Sequence, residues 1–170
     1  MKQTLKYIYT NIQEQLKFSE QKHSIIIAIN SGIIVLVTGL FKETNTVLLI
    51  INWLIYIFCS ASILCNFFAL YSKSVKVSKR ECNINRNINL LYYKEILNMT
   101  EIQYLDLIRQ KYGYPNSYKF DELEKDLAKQ IIANSIVVER KYKLFNLSIL
   151  FLTLGLIFAI VFLLGVSYYA

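Results

Sequence analysis

Charge is missing altogether from three stretches of this 170-residue chain, Ser24 to Phe41, Thr46 to Ser72 and Leu144 to Ala170, and every Asp, Glu, Lys and Arg lies outside them. A helix rising about 1.5 Å per residue needs roughly 20 apolar residues to cross a hydrocarbon core about 30 Å thick, and the stretches are 18, 27 and 27 residues long. In lipid the backbone polar groups must be satisfied internally, which an unbroken apolar run achieves only as a helix. The shortness of the first stretch leaves a buried soluble hairpin of the first two as the alternative. Against it, a chain this small has too few polar residues to wrap three such helices.

Catalytic vocabulary is equally sparse. There is one histidine, His23, at the mouth of the first stretch with no Cys or carboxylate constellation near it in sequence, and it reads as an interfacial side chain. Of the three cysteines, Cys59 and Cys65 fall in the second stretch and Cys82 in the polar middle of the chain, expected to be cytoplasmic, where structural disulfides are rare. No metal-ligand spacing, Gly-rich phosphate loop, nucleophile elbow or HExxH helix occurs. Neither an enzyme nor a metal or cofactor is therefore expected. A signal peptide is a poor reading of the start, because the polar segment Lys2 to His23 is too long for an n-region and no small-residue cleavage site follows it. The N-terminus is expected to be retained.

What charge there is tells orientation. Lys2, Lys6, Lys17 and Lys22 precede the first stretch, only Lys42 lies in the link Lys42 to Asn45, and all other Lys and Arg lie between Lys73 and Lys143. The positive-inside rule then places the N-terminus and the middle segment in the cytoplasm, with the link and the C-terminus outside. Phe41, Tyr71, Tyr142, Tyr168 and Tyr169 stand at span ends, where aromatic rings favour the interface. The net charge of +7 is mostly this topological signal. Basic residues of the middle segment alternate with Glu81, Glu95, Glu101, Asp106 and the run Asp121 to Asp126, so no nucleic-acid partner is expected. The cluster Lys73, Lys76, Lys79 and Arg80 reads as a topology anchor or a contact for anionic headgroups.

The polar segments read as helices. Leu5, Ile8, Ile12 and Leu16 form an apolar stripe that can continue into the first span as one helix. A helix is expected over Leu90 to Lys111, carrying Leu91, Ile96, Tyr104, Leu105 and Ile108 and ended by Gly113 and Pro115. Asp121 and Glu124 have capping-box spacing, and Leu123, Leu127, Ile131, Val138 and Tyr142 continue a stripe with no breaker before the third span. Asp121 to about Tyr168 is thus expected as a single helix. Within the spans, Asn30 and Asn66 reach equal depth in an antiparallel hairpin and can hydrogen-bond across it. Ala28 with Gly32, and Gly155 with Ala159, have the small-xxx-small spacing that allows close approach. Packing or a water-lined path are both open for the asparagines; no ionisable group lies in the spans. The expected fold is an all-α membrane protein: three transmembrane helices with cytoplasmic helical extensions. Residues 1–23 form an amphipathic cytoplasmic helix, 24–72 a transmembrane hairpin (24–41 and 46–72), 73–143 a cytoplasmic helical segment and 144–170 the third span.

Two blocks carry a resemblance. The segment Phe18 to Ser31, with Glu20 and Lys22 at its head, resembles the acidic-x-Lys entry to the first span of Pycsar-type transmembrane effectors and related bacterial anti-phage membrane proteins. Glu20 stands where Asp is common there, and His23 where a small residue is common. The segment Leu127 to Tyr142, with Gln130 and Lys141, resembles the stretch that leads those proteins into their last span, and the order of elements also matches. The resemblance implies a homo-oligomeric effector in the bacterial inner membrane that senses a cyclic pyrimidine nucleotide and impairs membrane integrity, causing abortive infection. Its partners would be the lipid bilayer and the cyclic mononucleotide. The middle segment is too short and too helical for a β-roll nucleotide domain, so a site would lie between helices or subunits. Tyr92, Tyr93, Tyr104, Tyr112, Tyr114 and Tyr118 are candidates to stack on a base, and Arg109, Lys111, Arg140 and Lys141 to meet a phosphate. The sharpest set is Tyr104, Arg109, Tyr112, Arg140 and Lys141, though each residue singly also fits core packing or solvated charge. A different trigger, or a non-toxic membrane scaffold, are the alternatives.

Overall fold

A computed structural model of the chain describes residues 1–40, 46–71 and 88–169, and the side chains of all of these but Tyr168 and Tyr169. The link from Phe41 to Asn45, the basic cluster Lys73, Lys76, Lys79 and Arg80 with Glu81 and Cys82, the side chains of Tyr168 and Tyr169, and Ala170 lie outside the described residues. Among the described residues five helices follow in order: α1 Lys2–Leu40, α2 Thr46–Leu70, α3 Tyr93–Ile96, α4 Glu101–Lys111 and α5 Glu122–Tyr169. The described residues contain no strand. Both expected continuities hold: α1 is unbroken over 39 residues and α5 over 48. Three of the described helices, α1, α2 and α5, are long and apolar enough to cross a membrane.

The chain forms two compact units, Met1–Ser19 with Ser72–Arg140, and Glu20–Tyr71 with Lys141–Ala170. Both α1 and α5 contribute to each.

In the first unit, Leu5, Ile8 and Ile12 of α1 are fully buried, as are Ile96, Tyr104, Leu105 and Ile108 of α3 and α4 and Ala128, Ile131, Ile132 and Val138 of α5. The apolar stripe expected at the N-terminus is therefore a core face, with Leu16 only half-buried. The single helix expected over Leu90 to Lys111 is instead two, separated at Leu97 to Thr100. The reason is local: Thr100 Oγ1 accepts from the Gln103 backbone N–H at 3.3 Å and Gln103 Oε1 accepts from Thr100 N–H at 3.0 Å, a reciprocal capping box that starts a new helix. At the other end of α4, Gly113 takes φ +73° and the Tyr114 N–H reaches back to Arg109 O at 3.0 Å, a Schellman-type stop that favours glycine. The start of α5 is fixed by Glu124, whose buried carboxylate accepts from Asp121 N–H at 3.1 Å and from the Tyr118 hydroxyl at 2.8 Å. The expected stripe of α5 holds at Ile131 and Val138, which are fully buried, but over the first turns the inward face is rotated: Leu123 is exposed and Leu127 half-buried, while Glu124 and Ala128 are buried.

The second unit is apolar without, and within it buries polar side chains at one level and an apolar cluster of Val37, Leu48, Ile55, Cys59, Ala159 and Phe162 at another. Ile25, Val35, Ile50, Trp53, Phe67, Phe68, Leu150, Ile160 and Leu164 are all more than half exposed, whereas His23, Asn30, Ser62, Asn66 and Ser148 are fully buried. Water would expel such a surface; a bilayer accepts it. The buried positions of α2 are Leu48, Asn52, Ile55, Cys59, Ser62, Asn66 and Ala69, spaced alternately by four and three. This 3.5-residue period is the seam of left-handed helix packing. Side-chain contacts set the directions. His23 meets Asn66 and Asn30 meets Ser62, so α2 runs antiparallel to α1. Ser148 meets Asn66, and a Cβ on Gly155 or Gly165 would meet Cys59 or Leu48, so α5 runs antiparallel to α2. Gly155 with Ala159 is thus a close-approach patch, the Cβ position of Gly155 lying 3.1 Å from Cys59 Sγ. Ala28 and Gly32 are not: both are exposed, and a Cβ on Gly32 would meet nothing within 4 Å. Residue size permits close approach, but the seam decides the face, and these two lie off it.

Candidate functional site

Two places concentrate polar chemistry, one in each unit.

In the first unit the expected ligand residues separate into accessible and sealed. Tyr104 is sealed: it is fully buried and its hydroxyl donates to Leu90 O at 3.2 Å. Burial holds its phenol well above the usual range, so it serves as a core residue and not a stacking platform. Tyr93 is also buried. The Tyr114 hydroxyl pairs with Thr4 Oγ1 at 2.9 Å, and hydrogen bonding to Glu124 raises the Tyr118 phenol. Tyr92 and Tyr112 remain exposed. Arg109 pairs with Asp106 at 2.9 Å, donates to Asn116 O at 3.2 Å and lies over the Phe120 ring. Arg140 is exposed. A cleft of about 210 Å³ is lined by Ile88, Leu90, Leu107, Gln110 and Lys111. Ligand pockets usually measure about 300 Å³ or more, so this cleft alone does not enclose a nucleotide. Tyr104, Arg109 and Tyr112 share α4 and its cap, while Arg140 stands apart on α5.

Lys141, the fifth candidate, belongs to the second unit and is committed elsewhere. Its side chain is 2% exposed and its Nζ lies 2.6 Å from Glu20 Oε1. Beside it, Lys22 Nζ stands 5.2 Å from the Tyr142 ring centroid and 5.4 Å from that of Phe145. The two sequence blocks, one headed by Glu20 and Lys22 and the other ending at Lys141 and Tyr142, thus meet each other through an ion pair and a cation–π contact. Gln130 is exposed. The Lys141 ammonium is buried while Glu20 is partly exposed, so Glu20 is the charge partner that lets this lysine sit inside the unit.

Deeper in the second unit lies a polar chain that ties all three long helices. His23 Nδ1 is 2.6 Å from Asn66 Oδ1. Asn66 Nδ2 donates to Ser62 O at 2.8 Å, which fixes Oδ1 as the acceptor and Nδ1 of His23 as the protonated nitrogen. The Ser148 hydroxyl reaches the same Asn66 Oδ1 at 3.2 Å and Phe145 O at 2.8 Å. One oxygen therefore joins α1, α2 and α5. A turn away the pattern repeats: Asn30 Nδ2 donates to Ser62 Oγ at 2.9 Å and to Ile26 O at 2.8 Å, and Ser62 Oγ donates to Ser148 O at 2.9 Å. Asn30 and Asn66 do not bond to each other, as depth alone suggested; each finds a partner on the facing helix, because Ser62 and His23 sit between them. His23 is a fully buried member of this chain with its ring edge-on to Phe145 at 5.6 Å, and not the interfacial side chain its position implied. Sequence reasoning missed Ser62, Ser148 and Asn52 as well, although the 3.5-residue spacing from Leu48 to Ala69 marks two of them.

The described residues hold no cluster of three or more His, Cys, Asp or Glu fit for a metal ion. The family model of the Pycsar effector protein domain, PycTM, matches residues 4–166. The chain belongs to the Pycsar effector family. It is a multi-pass membrane protein and an effector of anti-phage defence. No curated protein and no solved structure matches it. The PycTM match takes in most of both compact units and every residue of the polar chain, so the polar helices and the membrane spans alike belong to the family domain but for a few residues at each end.

Proposed function

We propose that this PycTM protein senses a cyclic pyrimidine nucleotide in the cytoplasm and responds by impairing the inner membrane, so that the infected cell stops supporting the phage. The observation that carries this reading is the family match over residues 4–166, which includes a unit exposed to solvent and a unit of membrane spans. The N-terminus and first unit face the cytoplasm by the distribution of Lys and Arg. The protein is non-enzymatic, a switch whose resting form is held by the Asn66 and Ser62 nodes. Ligand contacts come from the accessible residues, Tyr112 for the base and Lys111 or Arg140 for the phosphate; Arg109 contributes only if it leaves Asp106 and Asn116 O, and Tyr104 and Lys141 are excluded by burial. The small cleft beside Lys111 supports a site completed by a second copy.

Ligand binding shifts a two-state equilibrium only by differential affinity, and moving it from about 1:99 to 99:1 takes roughly 5.5 kcal/mol. Several ligands bound to one homo-oligomer supply this more readily than one. The test is a membrane-potential dye on vesicles holding the full-length protein, titrated with cyclic CMP, cyclic UMP, cyclic AMP and cyclic GMP. A steep response to one pyrimidine nucleotide is expected. Leakage that is constant, or absent with all four, assigns the protein to another trigger or to a scaffold role.

A further inference from the structure

Most buried polar groups in a protein find a partner, and in a membrane interior an unmet one costs several kcal/mol. The seam of the second unit holds three that find none among the described residues: His23 Nε2, Asn30 Oδ1 and Asn52 Oδ1. All three side chains are at least nine-tenths buried. Their chemistry has one sign. The His23 proton is on Nδ1, facing Asn66, so in the neutral imidazole Nε2 is a bare lone pair; the two amide oxygens are acceptors by nature. Among the described residues no buried donor of the seam is left over to match them.

They also form a ladder. Asn30 lies seven residues beyond His23 on α1, about 10 Å deeper at 1.5 Å per residue, and Asn52 lies fourteen residues from Asn66 on α2, about 21 Å from the His23 level. Together they sample some two-thirds of a hydrocarbon core about 30 Å thick. Asn52 is the least expected of them, because the turns on either side of it, Leu48 and Ile55, belong to an apolar cluster with Val37, Cys59, Ala159 and Phe162. Packing alone would have been served better by a leucine.

We propose that this seam is the route by which ions cross when the effector is active, and that it takes monovalent cations. The inference rests on the membrane-impairing reading above and adds to it the path and the class of ion. A partly dehydrated cation needs acceptors to replace its water, as carbonyl rings supply in selective filters, whereas an anion would need donors the seam does not offer. In the resting form the Val37, Ile55 and Phe162 cluster closes the route, and a hydrophobic constriction of this kind opens when its helices part and it wets.

The test uses the full-length protein in planar bilayers of phosphatidylethanolamine and phosphatidylglycerol under a potassium chloride gradient. It is opened with each of the four cyclic mononucleotides and, separately, by Asn66→Ala, which severs the node joining the three helices. The reversal potential is expected on the potassium side of zero. Asn52→Leu is expected to move it toward zero, and Asn52→Asp, of nearly the same shape, further toward potassium. Chloride-selective or unselective currents that are the same in all three proteins overturn the inference and leave nucleotide triggering intact. If no nucleotide opens the wild type but the Asn66→Ala background shows the same ordered shifts, the path stands and the trigger falls. Silence in both overturns the path as well.

Discussion

Asn66 carries more of the second unit's organisation than any other side chain, since its oxygen accepts from His23 and Ser148 while its amide donates to Ser62 O. Polar contacts between membrane helices average about 0.6 kcal/mol and reach about 1.7, so such a node selects one register of three helices more than it adds bulk stability. A double-mutant cycle of His23→Ala with Asn66→Ala should give a coupling in that range, read from reversible unfolding in detergent. Asn30→Ala with Asn66→Ala should give less, because those two share only Ser62. The depth of the asparagines was legible from the sequence; their partners were not. His23 borders the first charge-free stretch and so counted as outside it, and only the three-helix geometry turns its ring inward. Lys141 misled for a related reason: a lysine in a charged run reads as solvated or phosphate-binding until Glu20, 121 residues away, is placed beside it.

At the level of elements, the long helices were legible because absent breakers and absent charge are both visible in a sequence, whereas the division of α3 from α4 depended on a capping box of only two side chains, Thr100 and Gln103. The N-terminal turn of α5 gives a measurable consequence. Lys2 Nζ and Asp121 Oδ2 lie 2.7 Å apart, and the hydrogen bond and charge of Lys2 hold the Asp121 carboxyl below its usual range while Asp121 raises Lys2. A lowered carboxyl contributes stability that is present above its unfolded value and lost as pH falls through the folded one; a raised ammonium contributes stability lost as pH rises through its folded value. The tether should therefore hold between about pH 4 and pH 10. Because both side chains are about half exposed, the effect is local. The protection of the first-turn amides of α1 and α5, taken relative to their intrinsic exchange rate at each pH, should fall below about pH 4. Lys2→Met should quicken the α1 turn at neutral pH. The remaining acid dependence at α5 then comes from Glu122, whose carboxyl Lys125 also lowers, and from Asp121 itself, which the Glu122 and Leu123 backbone N–H groups still hold down.

For the whole molecule, the membrane class was legible in the order of residues alone because lipid demands what water forbids, and the exposed Trp53, Phe67 and Phe68 meet that demand. Single cysteines in a cysteine-free background should be labelled from outside at Thr46 and Ser167 and only after permeabilisation at Asn98; labelling of Asn98 in intact cells would reject three spans with an inner N-terminus. The buried amides of Asn30 and Asn66 also bear on how the protein is made. When the first span leaves the ribosome, the Asn30 amide N–H groups have only Ile26 O of their own helix to bond, because Ser62, 32 residues further on, has not yet emerged beside it. A short apolar segment carrying an imidazole and an amide whose oxygen is unmatched partitions poorly into lipid alone. Its stable insertion must wait for α2, so the two spans enter the bilayer as a single hairpin, and the polar groups that later set the register first act as a brake on premature insertion.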